Sequence, residues 1–214
     1  MKLYDYFRSS ASYRVRIGLQ LKGLAYDAVS VHLVRDGGEQ LKPGYRAINP
    51  TGLVPVLKDG DATITQSMAI LEYLDETHAA SPLMPANALG RARVRSLALM
   101  IACDIHPLNN LRVLRYLVKD AGLTEDAKNA WYVHWVQEGL AALEAHLAAS
   151  DDTGRFCHGE TPTLADCFLV PQVFNAVRFG MDITPYPTIV RIDEACRALP
   201  AFQAAHPSQQ PGAE

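Results

Sequence analysis

A short polar turn, Arg8–Ser12, contains residue types that suit the binding of an anion. It lies between a predicted strand and a predicted helix, where backbone N–H groups and the helix dipole favour a negative charge. A thiolate is one anion that such a position stabilises. The turn carries no cysteine, which disfavours dithiol exchange by the protein's own thiols. The same residues also fit a serine-rich turn that only caps a helix.

Two further junctions offer groups to an extended ligand. Pro55 stands at the start of a predicted strand, where its peptide bond can be cis or trans and where the Val54 backbone can pair with a ligand. Gln66 and Ser67 supply an amide, a hydroxyl and a second helix N-terminus for a carboxylate. This second junction also fits an ordinary capped helix.

The elements that position these residues change in character near residue 80. Before it, short strands alternate with turns and helical pieces; after it, the pattern is helical throughout. Asp59–Asp61 is a hairpin signal, and Ser67 is the cap residue of a predicted helix of about ten residues. The predicted strands are Lys2–Tyr6, Ala28–Leu33, Leu53–Lys58 and Ala62–Thr65.

The stretch Tyr13–Leu21 is ambiguous. Its apolar residues alternate with polar residues or glycine, a period of two that favours a strand. Ser10 as an N-cap, Gly23 as a stop signal, and the crossover that parallel strands require favour a helix. We predict a helix.

The second part of the chain begins after a linker around Pro82 and Pro85. Thr163–Asp166 has the form of a capping box, and we expect Asp166 to be a structural cap rather than a general base. Pro107 should break the helical pattern. The long predicted helices are Ala88–Ile105, Leu108–Lys119 and Glu125–Ala149.

Composition limits the class of protein. The chain has 214 residues, 49% of them apolar and 20% charged, with a formal charge of −3, which is typical of a folded globular protein without nucleic-acid affinity. It lacks the run of ~18–20 apolar residues of a membrane span and an apolar leader, so we expect a cytoplasmic protein. The four cysteines show no metal-ligand spacing, and we expect four buried thiols and no metal site.

Six segments together resemble the zeta-class glutathione transferases, and within that class the maleylacetoacetate isomerases. The match extends from about residue 2 to 211, and the combination is specific although each motif alone is weak. The segments are FRSSASYRVRIGLQLKG, NPTGLVPVLKDG, ITQSMAILEYL, DIHPLNNLRVLRYL, TPTLADCFLVPQVFNAVRF and DITPYP.

The resemblance implies a glutathione transferase fold. An α/β thioredoxin-like domain that binds glutathione would span residues 1–81, and an all-α substrate domain would span residues 87–214. It also implies a homodimer, glutathione bound between the domains, and a helix at Tyr13–Leu21. The implied glutathione-binding residues are Ser9, Ser10, Ala11, Ser12, Tyr13, Arg14, Gln40, Val54, a cis-Pro55, Gln66, Ser67, His106, Asn110, Leu111 and Arg112.

The mechanism implied by the family is reversible addition of a thiolate to the cis double bond of a dicarboxylic keto acid. Only about 3% of a thiol with a pKa of ~8.5 is ionised at pH 7, and lowering the pKa by two units requires about 2.7 kcal/mol. A hydroxyl hydrogen bond and a helix N-terminus supply that amount. We therefore predict Ser9 and Ser10 as the catalytic hydroxyls, with Arg8 and Arg178 binding the substrate carboxylates and Arg178 also contributing to catalysis.

Three functions are consistent with the sequence. The resemblance favours isomerisation of maleylacetoacetate in tyrosine and phenylalanine catabolism, with maleylpyruvate isomerisation in the gentisate pathway as the alternative. A glutathione-binding protein without catalysis is the alternative from another class. Ala11 stands where the family often has cysteine, which weakens haloacid dehalogenation more than isomerisation.

Overall fold

The computed structural model describes residues 1–213. It divides into two compact units, one formed by Met1–Leu83 with the residues from Arg197 onward, and the other by Met84–Cys196. Each unit is a set of residues that pack together and does not define the limits of a domain. The domain limits 1–81 and 87–214 therefore remain a proposal. Glu214, the last residue of the second proposed domain, lies outside the described residues.

The first unit contains a four-stranded sheet with the order β2-β1-β3-β4. β1 is parallel to β2 and antiparallel to β3, and β3 and β4 form a hairpin whose turn contains Gly60 at φ +56°. The third strand begins three residues later than predicted, directly after Pro55, whose nitrogen has no hydrogen to donate to the ladder. The strands are β1 Lys2–Asp5, β2 Asp27–Ser30, β3 Val56–Asp59 and β4 Ala62–Thr65.

The ambiguous stretch is a helix, α1 Ser10–Leu21. The period of two arises because the polar residues Arg14 and Arg16 alternate with apolar ones, although both are buried, at 2% and 0% exposure. Gly18 allows close approach to helix α3 (Ser67–Thr77), since a Cβ there would lie 2.1 Å from Leu71 Cδ2. This helix is therefore covered on all sides, and its hydrophobic pattern has no clear helical period.

A buried ion pair organises the first unit. Arg16 Nη1 donates to both carboxylate oxygens of Asp5 at 2.7 and 2.9 Å, and Nη2 donates to the Phe7 carbonyl at 3.0 Å. Its Nε donates to the Ala205 carbonyl at 3.0 Å. The guanidinium thus joins β1, α1 and the C-terminal segment of the chain. The remaining helices of this unit are α2 Pro43–Arg46, α3 Ser67–Thr77 and α9 Pro200–Ala205.

The second unit is helical, as predicted. Its first helix ends in a π-helical turn, Met100–Ile105, and the next begins only at Leu111 because Pro107 breaks the pattern and Asn110 provides the cap. None of the helices within residues 1–213 is long and apolar enough to cross a membrane. The helices are α4 Ala88–Leu99, α5 Leu111–Lys119, α6 Glu125–Ala148, α7 Leu164–Arg178 and α8 Pro187–Arg197.

The cysteine prediction was wrong at one position. Cys157, Cys167 and Cys196 are buried and form no disulfide, but Cys103 is exposed on the π-helical turn. Burial raises the pKa of Cys157 and Cys196, and the Asp166 carboxylate raises both further. Cys157 and Cys196 are therefore poor nucleophiles. Among residues 1–213, no cluster of His, Cys, Asp and Glu side chains could hold a metal ion.

Asp166 is a structural cap, as predicted. Its carboxylate is fully buried and accepts hydrogen bonds from the Thr163 N–H at 2.7 Å, the Thr163 hydroxyl at 2.9 Å and the Cys157 N–H at 2.8 Å. Burial raises the pKa of Asp166, while these donors act in the opposite direction. The carboxylate thus satisfies donors at the start of α7 and in the preceding loop.

We expect Asp166→Ala to lower the free energy of unfolding by at least about 2 kcal/mol, because it leaves two buried N–H groups without an acceptor. Asp182→Ala is the matched control, since Asp182 accepts the same pair of bonds from Thr184 but is exposed. Its removal should cost no more than about 0.5 kcal/mol. Urea denaturation of both variants measures the difference, and equal midpoints would contradict the role of Asp166.

Candidate functional site

The predicted anion-binding turn forms the start of α1. Ser9, not Ser10, is the N-cap: its backbone is extended, at φ −69° and ψ 119°, and its hydroxyl oxygen accepts the Ser12 N–H at 3.2 Å. Ser10 is the first helical residue and is 7% exposed. The hydroxyl hydrogen of Ser9, which is partly exposed, can donate to an anion at this helix N-terminus.

The residues that flank Ser9 and Ser10 differ in exposure. Arg8 is exposed, and its guanidinium carbon lies 4.8 Å from the centroid of the Phe7 ring. Ala11 is partly exposed, whereas Tyr13 and Ser12 are only 1% and 0% exposed. The Ser12 hydroxyl oxygen has no hydrogen-bond partner among the described residues. Arg8 is thus the solvent-accessible cation of this turn.

The start of α3 contacts α1 through two of the predicted site residues. Arg14 Nη1 donates to the Ser67 hydroxyl at 3.2 Å, and both side chains are buried. Gln66, the N-cap of α3, is exposed and has φ +71° and ψ 119°, a backbone conformation that is rare for a residue other than glycine. Such conformations cost about 1–3 kcal/mol and occur preferentially at functional sites.

The predicted cis-Pro55 is cis in the structure. The carbonyl of Leu53, two residues before Pro55, accepts hydrogen bonds from the Tyr45 hydroxyl at 2.6 Å and from Asn49 Nδ2 at 2.8 Å. These bonds fix the backbone that leads into Val54. Burial raises the pKa of Tyr45, so it remains a neutral donor. Within residues 1–213, the Val54 backbone takes part in no hydrogen bond of the strands or turns.

Gln40 is 7% exposed, and its Nε2 donates to the Leu33 carbonyl at 3.3 Å. Gly38, at φ +110°, makes this arrangement possible, because a Cβ there would lie 2.6 Å from Nε2. Gly52 packs on the other side, where a Cβ would lie 3.1 Å from the Gln40 carbonyl oxygen. The two glycines leave room for Gln40, which belongs to the same unit as Ser9, Arg14 and Val54.

The predicted site residues of the second unit lie at the start of α5. Asn110 is the N-cap, with its Oδ1 accepting the Arg112 N–H at 3.1 Å and its Nδ2 lying 3.4 Å from His106 Nε2. Leu111 is partly exposed and Arg112 is exposed. His106, Asn110 and the first turn of α5 therefore form one local cluster.

Arg178 is the last residue of α7 and is exposed. Its Nη2 donates to Asn175 Oδ1 at 2.9 Å, and Asn175 is 9% exposed. The next residue, Phe179, stacks on Tyr132 with the ring centroids 3.7 Å apart. Burial raises the pKa of Tyr132, and the positive charge of Arg178 opposes that shift. The guanidinium is available to a carboxylate from solvent.

Sequence reasoning missed three buried amides in this unit. Asn109 Nδ2 donates to Gln172 Oε1 at 3.4 Å, which joins the loop before α5 to α7, and Asn175 contacts Arg178. Gln172 and Asn175 precede Arg178 by six and three residues in an otherwise apolar segment. Polar side chains at helical spacing in an apolar run are a signal that could have identified them.

Comparison with known proteins places the whole chain in one family. The family model described as "Glutathione S-transferase, N-terminal domain" matches residues 3–82, and the corresponding C-terminal domain model matches residues 134–207. Among curated relatives, the maleylacetoacetate isomerase of Pseudomonas aeruginosa is 47% identical over 212 residues, covering 99% of this chain and 98% of its own.

Solved structures give the same result. The holo structure of a maleylpyruvate isomerase, described as a bacterial zeta-class glutathione S-transferase, is 50% identical, with a TM-score of 0.96 and complete coverage of both chains. A maleylacetoacetate isomerase from Anaeromyxobacter dehalogenans 2CP-1 is 46% identical, with a TM-score of 0.86 and coverage of 100% of this chain and 97% of its own. That structure contains dicarboxyethyl glutathione and citrate in the active site.

Proposed function

Because this chain belongs to the zeta-class glutathione transferases, we propose that it catalyses the glutathione-dependent cis–trans isomerisation of maleylacetoacetate to fumarylacetoacetate. The observation that carries the proposal is the start of α1, where the Ser9 hydroxyl and a helix N-terminus can hold a thiolate. Glutathione is the cofactor of this reaction.

The residues of the first unit fit glutathione. The tripeptide has an extended backbone and two carboxylates. The Val54 backbone suits an extended peptide, and the N-terminus of α3 with Gln66 and Ser67 suits a carboxylate. The buried Arg14 fixes the Ser67 hydroxyl. We propose that these residues hold glutathione together with the others predicted above, which are Ser9, Ser10, Ala11, Ser12, Tyr13, Gln40, Pro55, His106, Asn110, Leu111 and Arg112.

Bound glutathione supplies a nucleophilic sulfur that adds to the cis double bond and leaves after rotation, chemistry consistent with the dicarboxyethyl glutathione in the Anaeromyxobacter relative. The protein's part is to keep this sulfur ionised. The Ser9 hydroxyl donates a hydrogen bond to it, Ser10 contributes a second hydroxyl, and the α1 dipole adds a favourable field. Arg8 and Arg178 bind the substrate carboxylates through their planar guanidinium groups.

Replacing Arg178 by alanine should raise KM for the keto acid about fivefold and leave the affinity for glutathione unchanged. The effect is moderate because the guanidinium is exposed and solvent screens its charge. Lys119→Ala, which removes an exposed cation at the end of α5, is the control and should leave KM unchanged. Steady-state kinetics with each substrate varied in turn provide the measurement. An unaltered KM in Arg178→Ala would place the carboxylate clamp elsewhere.

A second candidate substrate is maleylpyruvate, because the 50% identical zeta-class relative is described as a maleylpyruvate isomerase. The glutathione-dependent absorbance change with each substrate in parallel tests both proposals. Turnover of maleylacetoacetate with the higher kcat/KM supports the first, and preference for maleylpyruvate supports the second. Binding of glutathione without turnover of either would leave a non-catalytic glutathione-binding protein.

We further propose a cytoplasmic homodimer, on the strength of the family relationship. Leu89 and Leu99 of α4 are 85% and 39% exposed, and a subunit contact would cover such apolar side chains. Sedimentation at micromolar concentration tests this assembly, for which a mass near twice 23.5 kDa is expected.

A further inference from the structure

Asn175 is a buried polar side chain in the most buried helix of the second unit. Val173 and Ala176, which lie within two positions of it on the helix, are 2% and 0% exposed, and Asn175 itself is 9% exposed. Buried amides in folded proteins are almost always hydrogen-bonded. The hydrogen bond that Asn175 Oδ1 accepts comes from Arg178 Nη2, at 2.9 Å. An apolar residue would pack at this position without a hydrogen-bond partner. We therefore expect the amide to have a role in addition to packing.

Arg178 has the opposite character. It is exposed at the last position of α7, and an exposed arginine side chain samples many rotamers. The hydrogen bond to Asn175 uses one of five N–H donors and restricts the orientation of the guanidinium. The remaining donors are left for a ligand, and a planar fork of fixed orientation matches a carboxylate.

The environment of Arg178 also restricts the backbone that carries it. Phe179 is stacked on Tyr132 of α6 with an interplanar angle of 10°, directly after Arg178 in the chain. The charged end of the Arg178 side chain is thus held by Asn175, and its backbone is held by the Phe179 ring. Val177, by contrast, is 50% exposed and makes neither contact.

We propose that Asn175 is a positioning residue for substrate binding: it holds the Arg178 guanidinium in the orientation that receives a carboxylate of the dianionic substrate. Ordering a long side chain on binding lowers affinity, and Asn175 removes this cost by ordering Arg178 beforehand. The proposal rests on the proposed role of Arg178 in the same reaction. Because Asn175 is neutral, it orients the cation without cancelling its charge.

Binding of malonate to the complex with S-methylglutathione provides the test, because malonate is a dicarboxylate without a double bond and binding is measured without turnover. Titration calorimetry should show about two- to tenfold weaker malonate binding for Asn175→Leu than for the unmodified protein. Asn175→Asp should also weaken binding, and it should reduce the salt dependence of the dissociation constant, since the new carboxylate neutralises Arg178. Val177→Ala is the matched control and should bind normally.

A double-mutant cycle separates positioning from a general structural effect. In the Arg178→Ala background, Asn175→Leu should cause no further loss of malonate affinity, whereas an independent contribution would add to the loss. Urea midpoints measured on the same variants identify any that are poorly folded, and Asn175→Asp then carries the test. If Arg178→Ala weakens binding and Asn175→Leu does not, the positioning role is wrong. If Arg178→Ala itself has no effect, the proposed substrate clamp fails, and this inference fails with it.

Discussion

Replacing Ser9 and Ser10 together by alanine is expected to lower kcat/KM for the cis-enedioate substrate at least about tenfold. A hydroxyl hydrogen bond to an anion contributes about 1.5–3 kcal/mol, and ~1.36 kcal/mol corresponds to a factor of ten in rate. The oxygen of Ser9 is engaged by the Ser12 N–H, so the hydroxyl hydrogen is what remains for the sulfur. Without these donors, the thiolate fraction of bound glutathione falls at neutral pH.

Stability must be measured alongside activity, because Ser9 also caps α1. Loss of an N-cap costs about 0.5–2 kcal/mol of stability. Ser9→Thr is the control: it retains both the cap and the hydroxyl donor and should retain most of the activity. The two single alanine variants show which hydroxyl matters more. Unchanged kcat/KM in the double variant would remove both serines from the catalytic assignment.

The second large effect concerns stability. Asp5→Ala should lower the free energy of unfolding by about 3–5 kcal/mol, because it leaves the guanidinium of Arg16 buried without its counterion. The two side chains are 6% and 0% exposed. Urea denaturation measures the loss. Joint replacement, Asp5→Leu with Arg16→Met, should cost less than the sum of the two single changes, because it leaves no unpaired charge.

A partly exposed ion pair of the second unit provides the comparison. Lys128 pairs with Glu125 one turn away on α6, and the two side chains are 18% and 67% exposed. Lys128→Ala should therefore change the free energy of unfolding by only about 0.2–1 kcal/mol. A loss in Asp5→Ala as small as this one would show that the Asp5–Arg16 pair does not organise the first unit.

Local sequence signals predicted most of the elements, and their failures have physical causes. Turn chemistry located the hairpin at Gly60, and Pro107 marked the break before α5. The alternation over α1 was misleading because Arg16 is buried by its ion pair rather than exposed. The choice of N-cap was displaced by one residue, since Ser9 and Ser10 are chemically identical and only the backbone conformation distinguishes them.

The candidate site was predictable only in part. Ser9, Gln66 and Val54 carried local signals as a helix start, a second helix start and a residue before proline. The pairing of Arg14 with Ser67 spans 53 positions, so no local pattern reveals it; the family resemblance placed both residues in one site. Asn175, the amide that contacts Arg178, was not predicted because it lies in an otherwise apolar segment. Hydrophobic periodicity indicates which residues are buried, but it does not indicate which buried polar groups form hydrogen bonds with each other.

The central claim is that the sulfur of bound glutathione forms and breaks a bond during the reaction. Progress curves for a cis-enedioate keto acid with glutathione, with S-methylglutathione and without either compound test it most directly. Conversion to the trans isomer should occur with glutathione alone, since the methylated sulfur cannot form a thiolate. Equal conversion with S-methylglutathione, or with no thiol present, would contradict the account.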